Sequence, residues 1–262
     1  MTNNYYRPPS FSLFPPVVKN LLIVNGLFFL ATFVLQDTYH MDITKYLGLH
    51  YFLSKDFKIY QIVTYMFLHG GIAHILSNMF ALWMFGAVIE NYWGGKRFFI
   101  FYIICGIGAG LVQEATLFIY FNHLKSAVDT FVLSPDLAGF SDIVSKYFQD
   151  ISGYSPPENP QQAGQILTTL YQFTIDNSNT VGASGAIFGI LLAYGMTFPN
   201  TLIYLYFAIP IKAKYFVILY GAMELYLGIK GSTGDNVAHF AHLGGLLFGL
   251  IMILYWKRKR TL

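Results

Sequence analysis

Charge is what this chain has least of. Only 11% of its 262 residues are Asp, Glu, Lys or Arg, where a soluble domain carries about 25%. That deficit excludes an ordinary water-soluble globule and points to an integral membrane protein. Cysteine is almost absent. Cys105 stands alone inside an apolar run, so no intramolecular disulfide exists and the residue reads as packing; the redox compartment is left open. No internal repeat and no separate soluble domain is visible. The N-terminal "YYRPPSFSLFPPVVK" is proline-broken and runs into an apolar stretch too long for a signal-peptide core, so residue 1 onward is read as mature protein.

What is abundant is apolar and aromatic side chain, 55% and 18% of the residues, with a mean hydropathy of +0.49. A bilayer-spanning helix needs about 20 mostly apolar residues. The sequence predicts six such spans, near 19–36, 71–90, 97–121, 181–198, 213–229 and 237–256. The stretch 200–212, "NTLIYLYFAIPIK", is apolar but proline-broken and reads as a connection or as the fraying start of span five. Short clusters of Lys and Arg set orientation. "GGKR" (94–97) and "KRKR" (257–260) place both termini on the cytoplasmic side, with 1–18 as a cytoplasmic N-terminal segment. The 37–70 loop is rich in aromatics and reads as interfacial. The 122–180 connection is polar and long for a structureless loop; 138–151 and 162–175 can form short amphipathic helices in it. The "KRKR" run beside Tyr255 and Trp256 reads as a membrane-surface anchor. The basic pI near 8.7 follows from these clusters and calls for no nucleic acid.

Polar residues inside spans are expensive and mark function. Span two carries His74 and Asn78, span four Ser184, span six His239 and His242. Spans two, four and six run in the same direction, and His74, Ser184 and His242 each fall in the first turn or two. At about 1.5 Å per residue all three share one depth in the outer leaflet. Stripes of small residues explain how they can meet. Span four has Gly185 and Gly189; span six has Ala241, Gly245 and Gly249. Small residues four apart let helix backbones approach closely, which brings Ser184 and His242 within reach. A serine needs a base, and a neutral imidazole serves as base and later as acid. His74 and Asn78, four apart on one helical face, can donate to an oxyanion. So can the Ser184 backbone N–H at a helix start. No carboxylate falls near span six at this depth except Asp235, so a Ser–His pair without an acid is the simpler reading.

These residues are where the chain resembles the rhomboid intramembrane serine proteases. The resemblance is carried by "HGGIAHILSN" (69–78), "GASGAIFG" (182–189) and "AHLGGLLFG" (241–249), in order and on alternate spans. It implies an all-α membrane protein: a six-helix bundle of the prokaryotic form, a single membrane domain over 1–262, with 122–180 as an extracytoplasmic insertion. It implies an endopeptidase cutting in or near transmembrane segments of other membrane proteins. Ser184 would be the nucleophile and His242 the base, with His74, Asn78 and the Ser184 N–H as the oxyanion hole. His69, Gly182, Gly185, Phe188, Gly189, Ala241, Gly245 and Gly249 would be structural support. Glu90 matches a polar residue that closes the second span. No metal or cofactor is implied; the partners are transmembrane substrates and the lipid bilayer, and the expected place is a bacterial plasma membrane. The chain departs from the family in having Tyr60-Gln61 where Trp-Arg is frequent, and Phe188 where Tyr often packs on the histidine.

Other classes fare worse. HxxH at 239–242 is a weak metal pattern, there is no HExxH, and "GSTGD" (231–235) is not a phased GxGD, so zinc and aspartyl intramembrane proteases are disfavoured. Glu114 and Glu224, in spans three and five, suggest either a proton path or plain inter-helix hydrogen bonding. A transporter would spread such groups across the bilayer, whereas the cluster here keeps to one leaflet. A non-catalytic relative that binds membrane proteins would be expected to lack Ser184 or His242, and both are present.

Overall fold

The computed structural model describes residues 11–148, 155–205, 208–230 and 237–259. Eleven α-helices in these residues follow the chain as α1 Pro16–Tyr39, α2 Thr44–Leu47, α3 Gln61–Thr64, α4 Ile72–Ala81, α5 Ala87–Trp93, α6 Gly95–Leu133, α7 Leu137–Tyr147, α8 Pro160–Asn177, α9 Ser184–Thr197, α10 Ala213–Lys230 and α11 His239–Arg258. A π-helical turn, Leu82–Gly86, joins α4 to α5 as one helix. Two short antiparallel ladders complete the fold: β1 Leu49–His50 with β2 Asn179–Thr180, and β3 Leu202–Leu205 with β4 Ile209–Lys212.

Among the described residues four helices are long and apolar enough to cross a membrane: α1, α4–α5, α6 and α11. The other two expected spans fall short of that measure. α9 has 14 residues, and α10 carries Lys214, Glu224 and Lys230 within its 18. The stretch 200–212 is not a frayed helix start: between α9 and α10 the residues 202–205 and 209–212 pair as β3 and β4, from Leu202↔Lys212 to Leu205↔Ile209. Pro210 sits at the strand edge, a position where its missing N–H is tolerated.

The bundle is organised around α9. Gly185 through Leu191 are all buried, which is why this helix is apolar all round rather than on one face. α11 and α6 flank it. The glycine stripes face each other as the spacing predicts. A Cβ placed on Gly245 would fall on the Gly185 carbonyl, one on Gly185 would overlap Ala109 Cβ, and one on Gly189 would sit 2.5 Å from Cys105 Sγ and 3.1 Å from the Gly245 carbonyl. Here the backbones themselves touch, and no side chain fits between them. By contrast α1 and α10 expose Leu27, Leu30, Phe33, Ile218, Leu219 and Tyr226, apolar surface suited to lipid.

α6 is far longer than the predicted third span, which ends at 121. Its 39 residues reach about 58 Å, against a hydrocarbon core of about 30 Å. The excess packs with α7 and α8 into a second hydrophobic cluster of Phe121, Leu124, Val128, Phe131, Phe140 and Leu167, with Tyr51 joining from the first loop. The 122–180 segment is therefore ordered helix over most of its described length. α7 and α8 cover the two amphipathic stretches expected there, as far as those lie in the described residues. Asp136 and Asn159 cap them by accepting from the Gly139 and Gln162 backbone N–H groups.

The first loop is held by polar side chains. Gln61 is fully buried; its Oε1 accepts from the Lys58 and His50 N–H groups and its Nε2 donates to the Tyr46 and Asp56 carbonyls. One amide thus ties four backbone groups of the loop together. Glu90 takes the two N–H groups of Val17 and Val18, at 2.9 and 2.7 Å, and so caps α1 from another helix. α1 begins at Pro16 with no side-chain cap of its own, and its first N–H groups need an outside acceptor.

The glycine contact yields a prediction. Gly245→Ala should destabilise the protein by about 1–3 kcal/mol, the usual range for overpacking, seen as a lower thermal midpoint in detergent. Gly26→Ala, where a Cβ meets nothing within 4 Å, should leave the midpoint unchanged.

Candidate active site

Ser184 is the first residue of α9, so its N–H and those of Gly185 and Ala186 have no partner inside the helix. The approach to it is tightly fixed. The Gly182 N–H donates to the Tyr65 carbonyl at 2.9 Å. Gly182 has φ +131, and a Cβ there would lie 2.9 Å from His74 Nε2; both facts call for glycine. The β1–β2 ladder pairs Leu49 with Thr180 and His50 with Asn179. The first loop thereby holds the segment that presents the serine.

His242 lies in the first turn of α11 and meets Ser184 across the glycine contact. Its Nε2 is 2.8 Å from Ser184 Oγ. Phe188 stacks flat on the imidazole, with centroids 4.2 Å apart and planes 10° from parallel. Phe188 thus packs on the imidazole without a phenol.

The sequence placed no carboxylate beside His242 except Asp235, and the structure places a different one there. His242 Nδ1 is 2.8 Å from Glu224 Oε2, and His239 Nδ1 reaches the same oxygen at 2.6 Å. Glu224, His239 and His242 are all buried. Asp235, the carboxylate singled out from the sequence, lies outside the described residues. Glu224 escaped detection because it sits 18 residues upstream on a different helix; depth counting along separate spans does not reveal which faces meet. One signal existed, an acid inside an apolar helix. The three donor atoms lie within 4.8 Å of one another, the one such cluster among the described residues. They are engaged with each other through hydrogen bonds, which a cation would have to displace.

His74 and Asn78 lie one turn apart on α4. His74 Nδ1 accepts from the Gly70 N–H at 3.3 Å, which leaves Nε2, beside Gly182, as the protonated nitrogen of a neutral ring. Asn78 is buried, and its Nδ2 has no hydrogen-bond partner among the described residues. A buried amide donor left open calls for an explanation, and an acceptor that arrives only with substrate is one. Glu114 belongs elsewhere: its Oε2 accepts from the Phe52 N–H in the first loop, and it does not join Glu224 in a path.

The Rhomboid domain profile matches residues 56–145 and 162–259. The chain belongs to the rhomboid family. It is 25% identical over 223 residues to an uncharacterized mitochondrial rhomboid protein of Schizosaccharomyces pombe, covering 78% of this chain and 54% of that one. It is 25% identical over 246 residues to mitochondrial RHOMBOID-like protein 12 of Arabidopsis thaliana, covering 93% and 58%. A shorter match, 40% over 54 residues, is to the rhomboid protease GluP of Bacillus subtilis, covering 21% of this chain and 11% of that one. This rhomboid chain thus spans little more than half the length of the first two relatives. They also overturn one expectation. The fission-yeast protein and RHOMBOID-like protein 12, each matched along most of this chain, are mitochondrial by name, which goes against the expected bacterial plasma membrane. A multi-pass membrane protein stands.

His69, in the loop before α4, is buried and lies edge-on to His74 with centroids 5.1 Å apart. Burial, then the neighbouring His74, push its imidazole down to about 4, from an ordinary value near 6.5. Between those pH values the unfolded chain binds a proton that the folded protein refuses, so stability falls as pH drops from about 6.5 to about 4. The thermal midpoint of the wild type should therefore decline more steeply from pH 7 to pH 5 than that of His69→Gln. The difference should correspond to about 1–3 kcal/mol.

Proposed function

We propose that the protein is an intramembrane serine endopeptidase that hydrolyses peptide bonds in or near transmembrane segments of other membrane proteins. The observation that carries this reading is the 2.8 Å contact between Ser184 Oγ and His242 Nε2, made by two helices whose backbones touch. On this reading α1, α4–α5, α6, α9, α10 and α11 are six crossings of one membrane domain, with both termini on one face. The 122–180 segment then extends that domain on the opposite face. α9 spans only about 21 Å, less than the hydrocarbon thickness of about 30 Å. If its C-terminal end reaches one surface, Ser184 is sunk beneath the other by roughly 10 Å, within reach of water through a short cavity.

The chemistry follows from this placement. Ser184 Oγ attacks the scissile carbonyl carbon. Its O–H bond breaks, the proton passes to His242 Nε2, and the carbonyl π pair moves onto oxygen. The Ser184 N–H, Asn78 Nδ2 and His74 Nε2 are the donors for that oxyanion. Collapse expels the amine, which takes the proton from His242, and leaves an acyl-serine. Water then adds with His242 again as base, releasing the carboxylic acid and restoring Ser184. No metal or cofactor enters any step, and the substrates are transmembrane proteins presented in the bilayer.

The test is cleavage of a tagged transmembrane substrate by the purified protein in liposomes. Wild type should cut, and Ser184→Ala and His242→Ala should each lose activity by about 10³-fold or more while keeping the wild-type thermal midpoint. Equal cutting by all three, or failure of a fluorophosphonate to label Ser184, would contradict the reading.

A further inference from the structure

We propose that Glu224 is a positioning residue for His242, so that the site works as a Ser184–His242–Glu224 relay with His239 steadying the carboxylate. This rests on the peptidase reading above. A carboxylate only accepts hydrogen bonds. Both Nδ1 atoms that touch Glu224 Oε2, of His242 at 2.8 Å and His239 at 2.6 Å, must therefore carry protons. The Nδ1–H tautomer leaves the Nε2 lone pair of His242 facing the Ser184 hydroxyl at 2.8 Å, the state required of a general base. A ring with the proton on Nε2 would face Ser184 with a donor and take nothing from it.

Two contacts then fix the imidazole from different directions. Phe188 sets its plane by stacking, and Glu224 sets its rotation within that plane. When Ser184 gives up its proton, His242 becomes an imidazolium, and the neutral–anion contact becomes an ion pair. In a site where Glu224, His239 and His242 are buried that gain exceeds what it would be in water. His239, one turn before His242 on α11, holds the shared oxygen in place through its own Nδ1–H. A carboxylate buried among apolar helices is costly unless it is paired and hydrogen-bonded, and this one is answered by the two imidazoles of the reacting helix.

The experiment is Glu224→Gln in liposomes beside wild type. The amide keeps the size of the carboxylate but can present an N–H to His242 Nδ1, which selects the wrong tautomer. The expected result is a kcat lower by about 100-fold with KM within about threefold, and labelling of Ser184 by a fluorophosphonate slowed to match, at an unchanged thermal midpoint. A general loosening of the fold would move KM and the midpoint together. The second measurement needs no variant: ¹⁵N NMR of histidine-labelled wild type should show His242 protonated at Nδ1 and bare at Nε2. Cleavage by Glu224→Gln at the wild-type rate, or a His242 proton on Nε2, overturns the proposal and leaves the peptidase reading standing. A wild type that neither cuts nor labels overturns both.

Discussion

Everything in the site depends on the direct backbone contact between α9 and α11. Side chains normally keep helix axes 8–10 Å apart, and a serine at the head of one helix is then out of reach of a histidine on the next. Here Gly185, Gly189, Gly245 and Gly249 carry no side chains, and a Cβ on Gly245 would fall on the Gly185 carbonyl. The approach is worth making inside a membrane because lipid offers no hydrophobic force to drive helices together; close packing supplies the attraction instead. The same contact that stabilises the bundle sets the Ser184–His242 distance.

A second constraint runs through the structure. Where water is excluded, every polar group must find a partner in the protein. Glu90 answers two N–H groups at the start of α1. Gln61 satisfies two backbone donors and two carbonyls in the first loop. Glu224 gathers two imidazoles. Glu90 and Glu224 each tie one helix to another, and Gln61 ties the first loop to itself. Several buried side-chain atoms among the described residues break the pattern, and one of them, Asn78 Nδ2, lies a turn from His74.

Much of this was legible in the sequence, because spacing within one helix is enough to read it. The four-residue stripes announced the α9–α11 contact, the His74–Asn78 interval announced one face of α4, and the shared depth of His74, Ser184 and His242 followed from counting residues. What stayed hidden depends on which faces of different helices meet. Glu224 looked like any acid in an apolar helix until α10 was seen packed on α11. Gln61 looked only like the loss of an arginine, and nothing in its spacing showed that it would hold four backbone groups. The hairpin at 202–212 was obscured by its apolar composition and by Pro210. The length of α6 was concealed because its extension beyond 121 turns polar, although Pro135, two residues past its end, is a stop signal.

The most direct test of the account is a structure of the protein in lipid after reaction with a fluorophosphonate. The account predicts phosphorus bonded to Ser184 Oγ, with His242 and Glu224 unmoved. A phosphoryl oxygen should lie within about 3 Å of the Ser184 N–H and Asn78 Nδ2. An adduct whose oxygen points away from both donors, or a label on another residue, would contradict it.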